Sequence, residues 1–254
     1  MTPQNPFCVR NKRILVTGAS RGIGAAITRD LAEAGAFVIA NYCRNDKAAE
    51  QLKEACEGLE GEVVLCRADL TRSGGQQKVA EAVGNDGLDG LVHCAATGVH
   101  GKLDKLTTRH FDWTFSLNLR AFFELVQSVK GQLTSGASIV AMSSEGGQLA
   151  VQDYTLVGAS KGGLESLCRH LAVELASDEI RVNCLSPGSV QTDSWDALPD
   201  AEARLDKAQG HNPFGRLTCV DEIAHSARFL LSPAARGING QVIVVDGGSR
   251  IRSV

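Results

Sequence analysis

The chain reads as a single-domain α/β protein, residues 1–254, built on a doubly wound, parallel, seven-stranded sheet. Three observations point there. Short β-branched runs alternate with segments of helical period from Lys12 to Val245, and that alternation demands parallel pairing through right-handed crossovers. The first run feeds a glycine-rich turn that opens a helix. No linker or internal repeat divides the chain, and open α/β sheets of this length form one unit.

Lys12 to Val16 is the first strand, followed by Thr17-Gly-Ala-Ser-Arg-Gly-Ile-Gly24 and a helical segment over Ala25 to Ala34. Strands are then expected at 36–42, 62–67, 88–94, 137–142, 181–185 and 241–245. Helices are expected at 46–57, 75–83, 107–133, from Tyr154 through Glu174, and 220–231. Residues 1–11 form an extended N-terminal arm. The segment 187–216 holds a helical piece near 200–209 and reads as a lid over the substrate, because connections so long in a compact domain usually serve the site. Trp195 and Phe214 give that lid apolar anchors.

Composition narrows the function. A formal charge of −3 without any Lys/Arg run argues against a nucleic-acid partner. No apolar stretch approaches the roughly 20 residues that span a bilayer, and Met1 to Asn11 lacks the apolar core of a signal peptide, so a cytoplasmic location is expected. The eight cysteines are scattered without a Cys-x-x-Cys pair, and with the six histidines equally dispersed no metal site is expected.

Ligands of such sheets bind at the carboxyl ends of the strands. Gly18, Gly22 and Gly24 let the backbone turn tightly and approach a pyrophosphate, which Ser20, Arg21 and Ile23 would flank at the helix N-terminus. The spacing is not G-x-G-x-x-G, but a glycine turn between first strand and first helix favours a dinucleotide site over a structural turn. Arg44 follows the second strand, Asp69 and Leu70 the third, Cys94 and Ala95 the fourth, Ser143 and Ser144 the fifth, and Pro187, Gly188 and Val190 the sixth. Tyr154 and Lys161 lie seven residues apart, about 700° on a helix, which puts them on one face roughly 10.5 Å apart along the axis. There the ammonium would lower the phenol's pKa from its reference of about 10. The second strand ends without the carboxylate that holds a ribose 2′-OH, while Arg21 and Arg44 offer cationic donors for a 2′-phosphate, so the expected cofactor is NADPH.

Together these residues resemble the short-chain dehydrogenase/reductase family, a Rossmann-type fold, from about Lys12 to Gly248. Thr17 to Gly24 matches its T-G-x-x-x-G-x-G loop, Asp69 its adenine-side acid, Asn118 the asparagine of its catalytic tetrad, Pro187-Gly188 with Thr192 its nicotinamide-side motif, and Val245-Asp-Gly-Gly248 its C-terminal signature. Two departures stand out. His93-Cys94-Ala95-Ala96 replaces Asn-Asn-Ala-Gly, and Val157 holds the place of the tyrosine in Tyr-x-x-x-Lys. Tyr154-x6-Lys161 is similar instead to the enoyl-acyl carrier protein reductases, most of all their third bacterial type.

That resemblance implies reduction of a 2-enoyl thioester on acyl carrier protein or CoA, with Tyr154 polarising or protonating the thioester oxygen, Lys161 holding the nicotinamide ribose, and Ser144 in the family's catalytic serine position. Helices 107–133 and 154–176 carry apolar residues on more than one face, so a homotetramer is expected, and the resemblance implies that these two helices build its main dimer interface. The alternatives are a carbonyl reductase of the same family and a non-catalytic nucleotide sensor.

Overall fold

The apolar runs at the centre of the sheet become strands covered on both faces, which is why those runs are continuous rather than alternating. The strands are β1 (Arg13–Thr17), β2 (Phe37–Tyr42), β3 (Glu62–Arg67), β4 (Leu88–His93), β5 (Leu133–Met142), β6 (Arg181–Pro187) and β7 (Val242–Val245). In the computed structural model, which describes residues 5–191 and 201–251, they pair in parallel in the order β3-β2-β1-β4-β5-β6-β7. The order reverses between β1 and β4, so a crevice opens at their carboxyl ends.

Side chains alternate across the sheet and divide the core in two. Leu15, Ile39, Leu91 and Ile139 face α3 (Gly75–Val83), α5 (Ala121–Val129) and α6 (Thr155–Glu174). Ile14, Val16, Val38 and Val140 face α1 (Gly22–Glu33), α2 (Asp46–Ala55) and α8 (Val220–Leu231).

Four local expectations are corrected. The 107–133 helix is broken: α4 (Thr108–Phe115) passes through a π turn at Ser116–Arg120 before α5 begins, and β5 starts at Leu133 instead of Ala137. Over the described residues 5–11 the N-terminal arm is not extended. From Asn5 it turns on the Cys8 N–H to Asn5 carbonyl bond, sets Phe7 against Phe229 of α8 and buries Val9. In the lid segment α7 (Ala201–His211) forms the expected helix, but Phe214 is exposed under the Arg216 guanidinium, and Trp195 lies outside the described residues. Finally, Tyr154 is not a helical residue. It occupies the N-cap of α6 with φ −115° and ψ 15°.

Candidate active site

The glycine turn is shaped by close approach. A Cβ on Gly24 would lie 2.3 Å from the Gly18 carbonyl oxygen, and one on Gly18 (φ +65°) would lie 2.8 Å from the Ala95 nitrogen. Only glycine lets the first and fourth loops touch in this way. Arg21 caps α1 without a side-chain hydrogen bond, so the first-turn N–H groups remain available to an anion beside Ser20, Gly22 and Ile23. The Thr17 hydroxyl accepts from Ala95 N–H (3.2 Å) and sits 3.0 Å from His93 Nδ1. Burial, then the Lys161 charge, hold the His93 pKa down at about 3, so a neutral imidazole ties β4 to β1 where the family has asparagine.

At the far end of the crevice Asp69 accepts from Thr71 N–H (3.0 Å) and its hydroxyl (2.7 Å) and faces Arg72 at 3.3 Å. Burial opposes the carboxylate, but those bonds and the Arg72 charge outweigh it and lower its pKa. Leu70 is buried, and Arg44 is exposed in the bend after β2, beside the Cys43 thiol. Asn41 is buried near the end of β2, and its amide donates to the Cys66 and Ala68 carbonyls. At the opposite end Pro187 closes β6, Gly188 packs so tightly on Asp246 that a Cβ would sit 2.7 Å away, and Val190 bridges to Thr218. Thr192 lies outside the described residues.

Between these ends stand the candidate catalytic groups. The Tyr154 hydroxyl donates to Ser144 Oγ over 3.3 Å, while the Ser144 hydroxyl oxygen also caps the 3-10 turn Glu145–Gly147 by accepting from Gly146 N–H. The expected pairing with Lys161 is not formed. Lys161 is buried with Nζ donating to the Met142 carbonyl (2.7 Å), and burial holds its pKa down at about 8. The Tyr154 pKa is raised rather than lowered, by burial first and by the Glu145 charge, with the Ser144 hydrogen bond opposing. The reason is positional: a residue outside the helix does not share the helix face that the spacing assumed. Val157 is buried in the family's tyrosine position, where a Cβ on Gly98 would lie 2.2 Å from its Cγ2.

Asn118 sits in the π turn, fully buried, and its side chain is committed. It accepts from Thr97 N–H (2.8 Å) and donates to the Thr97 carbonyl and to Ser160 Oγ (both 2.9 Å), clamping the β4 loop onto α6. Cys94 lies beside Lys161, its thiol pushed up to about 12 by burial, and so stays a protonated packing group.

A family model described as enoyl-(acyl carrier protein) reductase matches residues 18–250. The chain is 33% identical over 260 residues to a hydroxynaphthalene reductase-like protein Arp2 of Metarhizium guizhouense, covering 97% of each. The chain is a short-chain dehydrogenase/reductase. Among solved members, a putative short-chain alcohol dehydrogenase from Sinorhizobium meliloti 1021 superposes with a TM-score of 0.92 at 30% identity, covering 98% of this chain and 100% of that one. The angucycline C-6 ketoreductase LanV, solved with bound NADP, gives 0.90 at 31% identity, with 96% and 98% covered.

This short-chain dehydrogenase/reductase also uses residues that sequence reasoning did not single out. Gly146 and Gly158 seat the tyrosine: a Cβ on Gly146 would meet the Tyr154 ring at 2.5 Å, and one on Gly158 would meet the Gly146 carbonyl at 2.7 Å. Buried Glu165 accepts from the Ser143 hydroxyl (2.6 Å) and the Gln148 amide (2.9 Å), and Arg250 donates to Gln148 (2.9 Å) and to Ser186. Two glycines in the turn after the serines were the one local signal of such packing. Among the described residues no cluster of three or more His, Cys, Asp or Glu could hold a metal, and no helix is long and apolar enough to cross a membrane.

Proposed function

We propose that the chain is an NADPH-dependent reductase of 2-enoyl thioesters carried on acyl carrier protein or CoA. NADPH supplies a hydride to the β-carbon, and Tyr154 stabilises and protonates the thioester oxygen on which charge builds. The cofactor reading rests on the Gly18–Gly24 cradle, on Arg21 and Arg44 flanking a β2 end without a carboxylate, and on the NADP bound by LanV. An Arg44→Ala variant is expected to lose NADPH affinity and keep NADH affinity.

The observation that carries the enoyl reading is the phenol's separation from the ammonium. Tyr154 hangs from the N-cap, one turn before the position that Val157 fills, and its pKa lies above the ordinary value instead of below it. Such a phenol is a hydrogen-bond donor and a poor phenolate. That suits an oxygen remote from the carbon taking hydride, in a reduction run one way, better than reversible alcohol oxidation, which needs a phenolate base. Carbonyl reduction is the second reading, because the 3.3 Å contact of Tyr154 with Ser144 lets two hydroxyls converge on one oxygen, and LanV is named a ketoreductase. Purified protein with NADPH and matched crotonyl and acetoacetyl thioesters decides between them. Faster crotonyl reduction supports the enoyl reading, faster acetoacetyl reduction the carbonyl one, and nucleotide binding without turnover on either the sensor.

The assembly we propose is a homotetramer working in the cytoplasm. Phe111, Trp113 and Phe123 are exposed on α4 and α5 beside a groove of about 880 Å³ that reaches Gly163 and Leu167 of α6. Leu164 and Leu171 of α6 point instead into the core, so these helices carry two apolar faces.

A further inference from the structure

The 3-10 turn that follows Ser144 is held at both ends by one buried carboxylate. Glu165 of α6 accepts from the Ser143 hydroxyl (2.6 Å) before the turn and from the Gln148 amide (2.9 Å) after it. Gly147 makes room for this clamp, since a Cβ there would lie 2.7 Å from Glu165 Oε1 and 3.0 Å from Ser143 Oγ. An amide has a donor end and an acceptor end. Gln148 gives its N–H to Glu165 and turns its oxygen to the Arg250 guanidinium (2.9 Å).

Arg250 carries the connection out of the turn. Its other terminal nitrogen donates to the hydroxyl of Ser186, a fully buried residue of β6 two positions before Gly188. The neighbouring acid, Asp246, does not take up this fork. Its two carboxylate oxygens accept the backbone N–H groups of Gly248 (2.8 Å) and of Arg250 itself (3.0 Å). Arg250 Nε stays 3.7 Å from it and, though buried, has no hydrogen-bond partner among the described residues. A guanidinium only 10% exposed thus reaches past an adjacent carboxylate to bridge two neutral side chains on different loops. Such a fork sets a distance as well as balancing a charge.

We propose that Arg250 is a positioning residue of the reductase site, a strut that fixes the spacing between the Ser144 turn and the Pro187–Gly188 loop on the nicotinamide side. The inference rests on the reductase reading of Tyr154 above. Ser144 receives the Tyr154 hydroxyl, so one planar fork holds the phenol and the loop to a common frame. Each arm has its own consequence. Losing the Gln148 arm frees the serine turn and slows the chemistry, whereas losing the Ser186 arm frees the loop and weakens the hold on NADPH.

The test compares wild type with Gln148→Leu, Ser186→Ala, Arg250→Met and Arg250→Lys in three measurements. These are kcat at saturating NADPH with whichever of crotonyl and acetoacetyl thioester the wild type reduces faster, the NADPH dissociation constant from nucleotide fluorescence without substrate, and Tm. Gln148→Leu should lower kcat by about 10–10²-fold with a smaller effect on NADPH binding. Ser186→Ala should do the reverse, raising the dissociation constant roughly tenfold with a smaller effect on kcat. Arg250→Met should show both losses. Arg250→Lys should stay close to it, because an ammonium on a flexible stem keeps the charge without the fork. An Arg250→Lys enzyme with wild-type kcat and NADPH affinity overturns the strut, and so do losses that track Tm alike in all variants. If Arg250→Met does not fold, the opposite biases of Gln148→Leu and Ser186→Ala still decide. A wild type that binds NADPH and reduces neither thioester overturns the reductase reading instead, and with it the inference.

Discussion

Gly146→Ala is the most direct test of how the tyrosine is placed. The new Cβ would meet Cδ1 and Cε1 of the Tyr154 ring at 2.5 Å, whereas carbon atoms rest about 3.5–4.0 Å apart. Ring or turn must therefore yield by about 1 Å. The backbone at Gly146 does not lie in the left-handed region, so the alanine is strained by its neighbour and not by its own conformation. The ring has little room, with His100 edge-on at 5.0 Å on another side and the 3.3 Å contact to Ser144 already at the long end of a hydrogen bond. A displacement of that size breaks the Tyr154–Ser144 contact, and misplacing a reacting group by about 1 Å costs on the order of 10²-fold in rate. Overpacking should also destabilise the fold by about 1–3 kcal/mol. NADPH consumption with crotonyl thioester and thermal unfolding read the two effects, with Gly131→Ala, whose Cβ would meet nothing within 4 Å, as the silent control. A folded Gly146→Ala enzyme with wild-type kcat would show that the seating of the Tyr154 ring does not limit turnover.

Other outcomes follow from the same geometry. Tyr154→Phe should lower kcat by about 10²–10³-fold with little change in NADPH binding, as removal of one donor to a developing oxyanion does, whereas Lys161→Ala should damage both; stopped-flow turnover with fluorescence binding of NADPH separates them. Burial lowers the Lys161 pKa to about 8 in the folded chain, from an ordinary lysine value of about 10.5. Between those values the unfolded chain binds the extra proton, so this group's contribution to stability rises with pH across that window, by up to about 3 kcal/mol. Denaturant unfolding of wild type against Lys161→Met at pH 8 and pH 10 should show the difference growing in favour of the wild type, and a constant difference would refute it. Phe123→Asp, on the exposed face of α5, should shift a tetramer to smaller species in light scattering, while a wild-type monomer at micromolar concentration would remove the assembly proposal.

The sequence by itself determined the sheet, its seven strands and the crevice. Apolar runs buried on both faces and glycine in a strand-to-helix turn are local signals, and Gly18 and Gly24 are required by contacts that any such turn makes. It also placed Arg44, Asp69, Ser144 and Gly188 at strand ends, where the structure puts them. Tertiary structure decided the rest. Helical periodicity continues through Tyr154, but packing on Gly146 holds that residue in a cap conformation and turns its hydroxyl to Ser144. The direction of the phenol's pKa shift followed, since it depends on burial and on charges such as Glu145 that no spacing encodes. Arg250 reaches Gln148 across a separation of 102 residues, and Asn118 secures Ser160 across 42. Contacts of that kind carry no periodic trace in the chain, because the partners are brought together only when the sheet has set their elements side by side.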